Sequence, residues 1–372
     1  MPTDRSFKLN YFFLPFSFLY GIGIRIRNLF FNWGLLSSEE FPVPVISVGN
    51  LSVGGTGKTP HVEYLIRLLK DQYKIAILSR GYKRSTKGYV LANEKSSAQT
   101  IGDEPYQIKR KFPDIPVAVD SDRRRGIKQL LALPDDQKPE VILLDDGYQH
   151  RYVTPSFSIV LTDYNRLFYL DKLLPTGRLR EPASEINRAD VVIVTKCPKD
   201  LKPIDFRIIK DEMKLFAHQQ IYFTSVVYEN LEPLFPEKAP LKSNIKKDDK
   251  LLLLAGVAAP APFVDKVKNC SDHVISQIYP DHHTFSKQDI KKISETFTRV
   301  NSPDKYILVT EKDAARLQKN PLIPEDWKDA LYYLPITIRF EAEAATSLDD
   351  LVLKHIVSFN RNSILRKYDK RN

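Results

Sequence analysis

The residues best suited to chemistry lie in Val45–Pro60, VISVGNLSVGGTGKTP. A short apolar run reads as a buried strand, and the glycine-rich turn after it ends in Gly57-Lys58-Thr59. Glycines let backbone N–H groups turn inward onto phosphate oxygens, a lysine adds a point charge, and a threonine hydroxyl can ligate Mg2+. Ser52, Val53, Gly54, Gly55, Thr56, Gly57, Lys58 and Thr59 are therefore the candidate nucleotide-binding residues, with Thr59 also a candidate metal ligand. Such loops usually open with glycine where this one has Ser52; Gly54 and Gly55 restore the turning capacity. His61–Lys70, HVEYLIRLLK, places apolar residues at helical spacing, which puts the loop at a helix N-terminus with the dipole toward the anion. The plainer account, a strand-to-helix turn that binds nothing, leaves the Lys-Thr pair after the last glycine unexplained.

Further candidates sit where other apolar runs end. Asp145-Asp146 closes one such run, where phosphate-loop enzymes keep the acid that helps hold Mg2+. Gln149 and His150 follow and read equally well as ordinary loop residues. Gly102-Asp103-Glu104-Pro105 opens a helical segment. Its acids suit a helix N-terminus, and equally a kinase's need for one carboxylate on the attacking hydroxyl and another near the metal. Asp281-His282-His283 is a second cluster, with no third His or Cys at ligand spacing to make it a metal site. Lys196 and Lys312, each following an apolar run, are candidates for a nucleotide base or ribose, the latter within what also reads as a capped helix start. The loop Pro175–Pro182, with Arg178, Arg180 and Glu181, suits clamping phosphate oxygens.

Positioning these residues requires an α/β frame. Val45–Val48, Ile75–Leu78, Val117–Val119, Val141–Leu144, Ser158–Thr162 and Val191–Thr195 are continuous apolar runs, as expected for strands buried on both faces of a mostly parallel sheet. Ligands gather beyond the carboxyl ends of such strands, which is where the phosphate loop, Asp145-Asp146 and Lys196 fall. The pattern changes at a long β-like run, Gln220–Val227, and at the charged, proline-containing stretch after it. A second, smaller α/β unit then opens at Leu251–Ala255, with a helix from about Pro262 and strands at Val274–Ile278, Tyr306–Thr310 and Leu331–Phe340. The expected division is an N-terminal membrane-associated helix (1–37), a phosphate-loop domain (38–227), the smaller α/β domain with connecting strands (228–340), and a C-terminal helix with a basic tail (341–372).

A chain of 372 residues has room for two domains. Its formal net charge of +10 favours an anionic partner. The basic residues are dispersed and accompany no nucleic-acid-binding signature, which argues against nucleic acid. Cys197 and Cys270, far apart, argue against a disulfide framework and fit a reducing compartment. Leu9–Ile24 carries no charge and many aromatics, followed by Arg25 and Arg27. The run is short for a membrane span, and Pro15 is expected to interrupt it. It reads as a helix lying at an anionic membrane surface, the alternative being an ordinary core helix.

In this order, VGNLSVGGTGKTP, SRGY, GDEP, DDGYQHR, LLPTGRLREP, VTK, LAGVAAP, YPDHHTF and VTEKDAARL resemble the tetraacyldisaccharide 4'-kinase family, the lipid A 4'-kinases. The resemblance runs through most of the chain. It implies a peripheral enzyme at the cytoplasmic face of the bacterial inner membrane that transfers the γ-phosphoryl group of ATP, with Mg2+, to the 4'-hydroxyl of an acylated glucosamine disaccharide 1-phosphate. It also implies a two-stranded connection between the domains, for which Gln220–Val227 and Leu331–Phe340 are the candidates, and it makes Ser52 an expected feature of the loop. The match at GDEP makes Asp103 the implied catalytic base and that at DHH makes His282 its partner, with Lys58 in the loop role. Glu104, Asp145 and Asp146 would serve the metal and phosphates, while Gln149, His150, Arg180 and Glu181 match positions lining the cleft. The rival is a membrane-associated phosphate-loop ATPase or GTPase acting as a switch, which leaves Asp103 and His282 without a task.

Overall fold

The computed structural model describes residues 9–242, 244–302, 304–341 and 346–369. The first half of the chain builds α1 (Leu14–Asn32), β1 (Val45–Asn50), α2 (Lys58–Leu69), β2 (Ile75–Ser79), β3 (Val90–Leu91), α3 (Ala98–Ile101), α4 (Asp103–Lys111), β4 (Val117–Val119), α5 (Arg123–Leu131), β5 (Val141–Asp145), β6 (Phe157–Asp163), β7 (Val191–Thr195) and α6 (Pro203–Met213). The second half adds β8 (Gln220–Tyr228), β9 (Glu232–Pro233), β10 (Lys250–Ala255), α7 (Ala261–Lys268), β11 (His273–Ile278), α8 (Lys287–Arg299), β12 (Lys305–Thr310), α9 (Glu311–Leu317), β13 (Leu331–Leu334), β14 (Ile336–Phe340) and α10 (Leu348–Asp369).

The fold is α/β, with two sheets. The larger has nine strands in the order β14-β8-β7-β6-β1-β5-β2-β4-β3. All neighbours from β8 to β4 run parallel, and an antiparallel strand closes each edge. Because the strands are apolar on both faces, helices must cover both. α2, α4 and the returning α10 pack on one face, where Ile46, Val48, Leu65, Ile108, Val352 and Ile356 share a core. α5 covers part of the other with Ile127 and Leu130, and α6 another part with Ile209 and Met213. The smaller sheet has the order β11-β10-β12-β13-β9 and is likewise packed on two sides, by α8 and α9 on one and α7 on the other.

Two expectations are corrected. Leu331–Phe340 is not one strand: Pro335, which has no N–H for a ladder, separates β13 in the small sheet from β14, which pairs antiparallel with β8 in the large one. Pro15 does not interrupt the N-terminal helix but starts it, standing in the first turn of α1, where a missing N–H costs nothing. Nor is α1 a core helix. Only Ser17, Gly21, Asn28 and Phe31 are buried, while Phe16, Phe18, Leu19, Phe30 and the following Trp33 face outward. Among the described residues no helix is long and apolar enough to cross a membrane.

Candidate active site

The phosphate loop leaves the end of the central strand β1, and Gly57 caps α2 at φ 86°, a left-handed conformation that costs a residue with a Cβ roughly 1–2 kcal/mol. Backbone and side chains share in fixing the loop. Val53 N–H donates to the Arg178 carbonyl at 2.8 Å, and Arg180 N–H donates to the Leu51 carbonyl at 2.7 Å. From β7, the Thr195 hydroxyl donates to the Thr56 carbonyl at 2.9 Å, and Lys196 bonds the Gly55 carbonyl and Asp163. The buried His61 bonds the Gly57 carbonyl through Nδ1 at 2.7 Å and the Thr224 hydroxyl through Nε2 at 3.1 Å. The carbonyl can only accept, so Nδ1 carries the proton. Burial holds this imidazole neutral, its pKa pushed down to about 4.

Beside the loop, β5 ends at Asp145, in register with Val48 of β1, and Asp146 follows directly. Asp145 is buried and accepts from the Ser79 hydroxyl at 3.1 Å through one oxygen, while its Oδ1 has no hydrogen-bond partner. Burial, then the adjacent Asp146 charge, push it up to about 6. Asp146 behaves oppositely. Burial works against its charge, yet Lys58 at 3.5 Å and Arg180 at 3.2 Å hold it below the ordinary carboxylate range.

The acid pair of α4 meets the other sheet. Gly102, at φ 96°, sets the start of α4 so close to the turn after β2 that a Cβ there would lie 3.2 Å from Gly81 backbone. Asp103 Oδ2 accepts from His282 Nδ1 at 2.7 Å, and from Arg316 Nε at 3.0 Å and its NH2 group at 2.7 Å. Burial opposes this charge, but the bonds from His282 and Arg316 lower the pKa to about 2. Glu104 pairs with Lys312 at 2.7 Å, so the ammonium expected at a base or ribose lies on a carboxylate in this structure. His283 turns away to Asp289 at 3.0 Å and stacks on Tyr279. Asp146, Lys196 and His282 all have positive φ although none is glycine. Such strain costs about 1–3 kcal/mol per residue and collects at functional sites.

A third group lies under α1. Arg180 donates to Gln149 Oε1 at 3.3 Å, and the buried Glu181 is held by Arg188 at 2.6 Å with Arg27 of α1 at 3.7 Å. His150 Nε2, Glu181 Oε1 and both polar atoms of the Asn28 side chain are buried without hydrogen-bond partners. Burial, then the Arg123 charge, lower His150 to about 4, leaving a neutral ring. The structure thus gathers the donor residues, the Asp103–His282 pair and Gln149, His150, Arg180 and Glu181 along the carboxyl ends of the large sheet. Sequence reasoning placed Arg27 at a membrane surface rather than beside Glu181, and missed Asn28, Arg123, Arg188 and Arg316. Only Arg316 left a clear signal, standing one helical turn beyond Lys312 on the same face. Among the described residues no three His, Cys, Asp or Glu side chains form a metal-binding group by themselves.

A family model described as tetraacyldisaccharide-1-P 4'-kinase matches residues 9–354. The tetraacyldisaccharide 4'-kinase of Parabacteroides distasonis is 53% identical over 358 residues, 96% of this chain and 97% of the relative. That of Bacteroides thetaiotaomicron is 48% identical, covering 97% and 96%. The crystal structure of LpxK from Aquifex aeolicus in complex with ATP superposes with a TM-score of 0.71 at 30% identity, over 93% of this chain and 98% of that one. This chain belongs to the tetraacyldisaccharide-1-P 4'-kinase family.

Proposed function

We propose that the protein transfers the γ-phosphoryl group of ATP to the 4'-hydroxyl of an acylated glucosamine disaccharide 1-phosphate. The observation that carries this reading is the Asp103–His282 contact at 2.7 Å, made between the two sheets on the same side as the phosphate loop. A nucleotide switch has no use for an anionic carboxylate oriented by a histidine. An acceptor hydroxyl does. The loop amides and Lys58 hold the donor phosphates, and the Lys58–Asp146 pair fixes the ammonium. All three bonds to Asp103 converge on Oδ2, so Oδ1 is the oxygen that takes the hydroxyl proton. The acceptor oxygen bonds the γ-phosphorus as the bond to the ADP oxygen breaks, and the proton passes to Asp103. A carboxyl at about 2 is a weak base, but phosphoryl transfer through a loose transition state asks more for orientation than for basic strength.

The residues also fit Mg2+, because the buried Oδ1 of Asp145 has no hydrogen-bond partner. Thr59, Asp145, Asp146 and Glu104 are the residues that would hold the ion, with phosphate oxygens and water completing its shell. Bound there, it would neutralise charge on the transferring phosphates. The outward aromatic face of α1, with Arg25 and Arg27 in the same helix, suits a peripheral position at an anionic membrane surface on the cytoplasmic side. Gln149, His150, Arg180 and Glu181, close under α1, suit the phosphorylated sugar of a lipid held there. In domain terms, 38–227 supplies the donor wall and 228–340 the clamp on Asp103, with β8 and β14 joining them.

The test is ATP consumption with and without the acceptor. Purified protein with Mg-ATP is expected to consume ATP only when tetraacyldisaccharide 1-phosphate is added and to yield its 4'-phosphate. Equal consumption without lipid would sink the kinase reading in favour of a switch.

A further inference from the structure

At the far end of α4 from Asp103 lies a buried charge cluster that the reaction does not use. Lys111 Nζ stands 2.7 Å from Glu63 Oε2 on α2 and 2.8 Å from Glu311 Oε1, the first residue of α9. Both carboxylates are almost fully buried, at 1% and 5% exposed. Gln107 Nε2 donates to the other Glu63 oxygen at 2.9 Å, Arg67 lies 3.7 Å from Glu63, and Glu311 Oε2 accepts from the Ile336 N–H that begins β14. Burial and the Glu311 charge raise the Glu63 carboxyl, and the two acids together raise Lys111 against its own burial.

The cluster joins three helices with distinct tasks. α2 carries the phosphate loop at its start, α4 carries Asp103 and Glu104, and α9 carries Lys312 and Arg316, which grip those acids. α4 and α9 are therefore cross-linked twice: Arg316 and Lys312 onto Asp103 and Glu104 at one end, Glu311 onto Lys111 at the other. Burying such ions is expensive, and apolar residues of the same volume often serve stability as well or better. What an ammonium between two carboxylates adds is a fixed distance and direction.

We infer that Lys111 is a positioning residue: by holding Glu63 and Glu311 on one ammonium, it sets α9 relative to the phosphate-loop helix and so places Arg316 and Lys312 on Asp103 and Glu104. The inference rests on the phosphotransfer reading above.

A double-mutant cycle separates positioning from mere stability. In the full chain with Mg-ATP and tetraacyldisaccharide 1-phosphate, Lys111→Met is expected to lower kcat about tenfold, with the ATP dissociation constant within about twofold of wild type. In an Arg316→Met background the same change is expected to cost less than about twofold, because the group that Lys111 places is already gone. Glu311→Gln, an isosteric change that leaves the Lys111–Glu63 pair intact, should show the same dependence and stands in if Lys111→Met does not fold. Equal factors in both backgrounds, or no loss in either, overturn the inference. A wild-type enzyme that ignores the lipid would instead overturn the function. Hydrogen exchange, read without acceptor, gives an arm independent of turnover: Lys111→Met should raise exchange in α9 and leave α8 unchanged, and unaltered α9 protection also overturns the inference.

Discussion

Around the phosphate loop, the bonds come from within the large sheet and its own helices: backbone holds Leu51 and Val53, while the side chains of Lys196, Thr195 and His61 hold the carbonyls of Gly55, Thr56 and Gly57. Around Asp103 and Glu104, by contrast, the grip is made by side chains of Lys312, Arg316 and His282 arriving from the other sheet. Bonds made within one sheet and its own helices do not depend on how the two sheets dock. A buried carboxylate that loses its cation is left with an uncompensated charge, at a cost of about 3–5 kcal/mol. The donor half is therefore built in by the sheet, whereas the acceptor half exists only while the two sheets are docked. On the proposed reading, Asp103 is oriented as a base only while the cleft is assembled.

The strongest way to break the comparison is to remove the acceptor half and ask whether the donor half notices. Asp103→Ala is expected to lower kcat about a thousandfold while ATP binding, followed by calorimetry, stays within about twofold. A comparable loss of ATP affinity would mean that the halves are one unit.

The same asymmetry decided what could be read from sequence. The donor site is contiguous: strand, glycine turn, Lys58, Thr59 and helix occupy one stretch, and each residue's task follows from its neighbours. The strands were legible because both faces are buried, which writes them as unbroken apolar runs. The Asp103–His282 contact joins residues far apart in the chain, and neither helical nor strand periodicity links them; only family resemblance brought them together. Arg316 stood in plain view within VTEKDAARL, yet its partner is a carboxylate from another sheet, so Lys312 was read against a nucleotide instead. The split at Pro335 escaped because the runs on either side are equally β-like, and their assignment to different sheets is a tertiary matter.

Titration offers a second, smaller discriminator, because the halves titrate in separate windows. His61 titrates near 4 in the folded chain against an ordinary 6.5, so the unfolded chain binds a proton that the folded one refuses. Its contribution is complete above pH 6.5 and falls by about 3 kcal/mol as the pH drops to about 4. Asp103, near 2 against an ordinary 3.8, contributes stability that is complete above pH 3.8 and is lost only as the pH falls toward 2. Asp145, raised to about 6, acts in the opposite sense and gains stability as the pH falls toward 3.8, so the wild-type curve alone mixes the effects. Subtracting the stability curve of His61→Gln from that of wild type removes the terms they share. The difference should change between pH 6.5 and 4 and be flat above it; a difference that does not depend on pH would show that the buried ring is not held neutral.

The smallest effect bears most directly on where the boundary between the halves runs. Lys312 follows an apolar strand, as a nucleotide-contacting lysine would, yet its ammonium lies 2.7 Å from Glu104. Burial works against both charges, and each nevertheless holds the other ionised, Glu104 below its ordinary range and Lys312 above. Both side chains keep some solvent contact, so the pair is worth far less than a fully buried one. Lys312→Met should therefore lower kcat by about three- to tenfold, by freeing Glu104, and leave the ATP dissociation constant within about twofold. A lysine on a nucleotide base or ribose makes a charge-assisted bond of about 1.5–3 kcal/mol, and its loss would weaken ATP binding by at least about tenfold. Calorimetric titration of ATP into Lys312→Met distinguishes the two. Should affinity fall by that factor, α9 belongs to the donor half, and the division between a donor site built within one sheet and an acceptor site built across two has to be redrawn through Glu104.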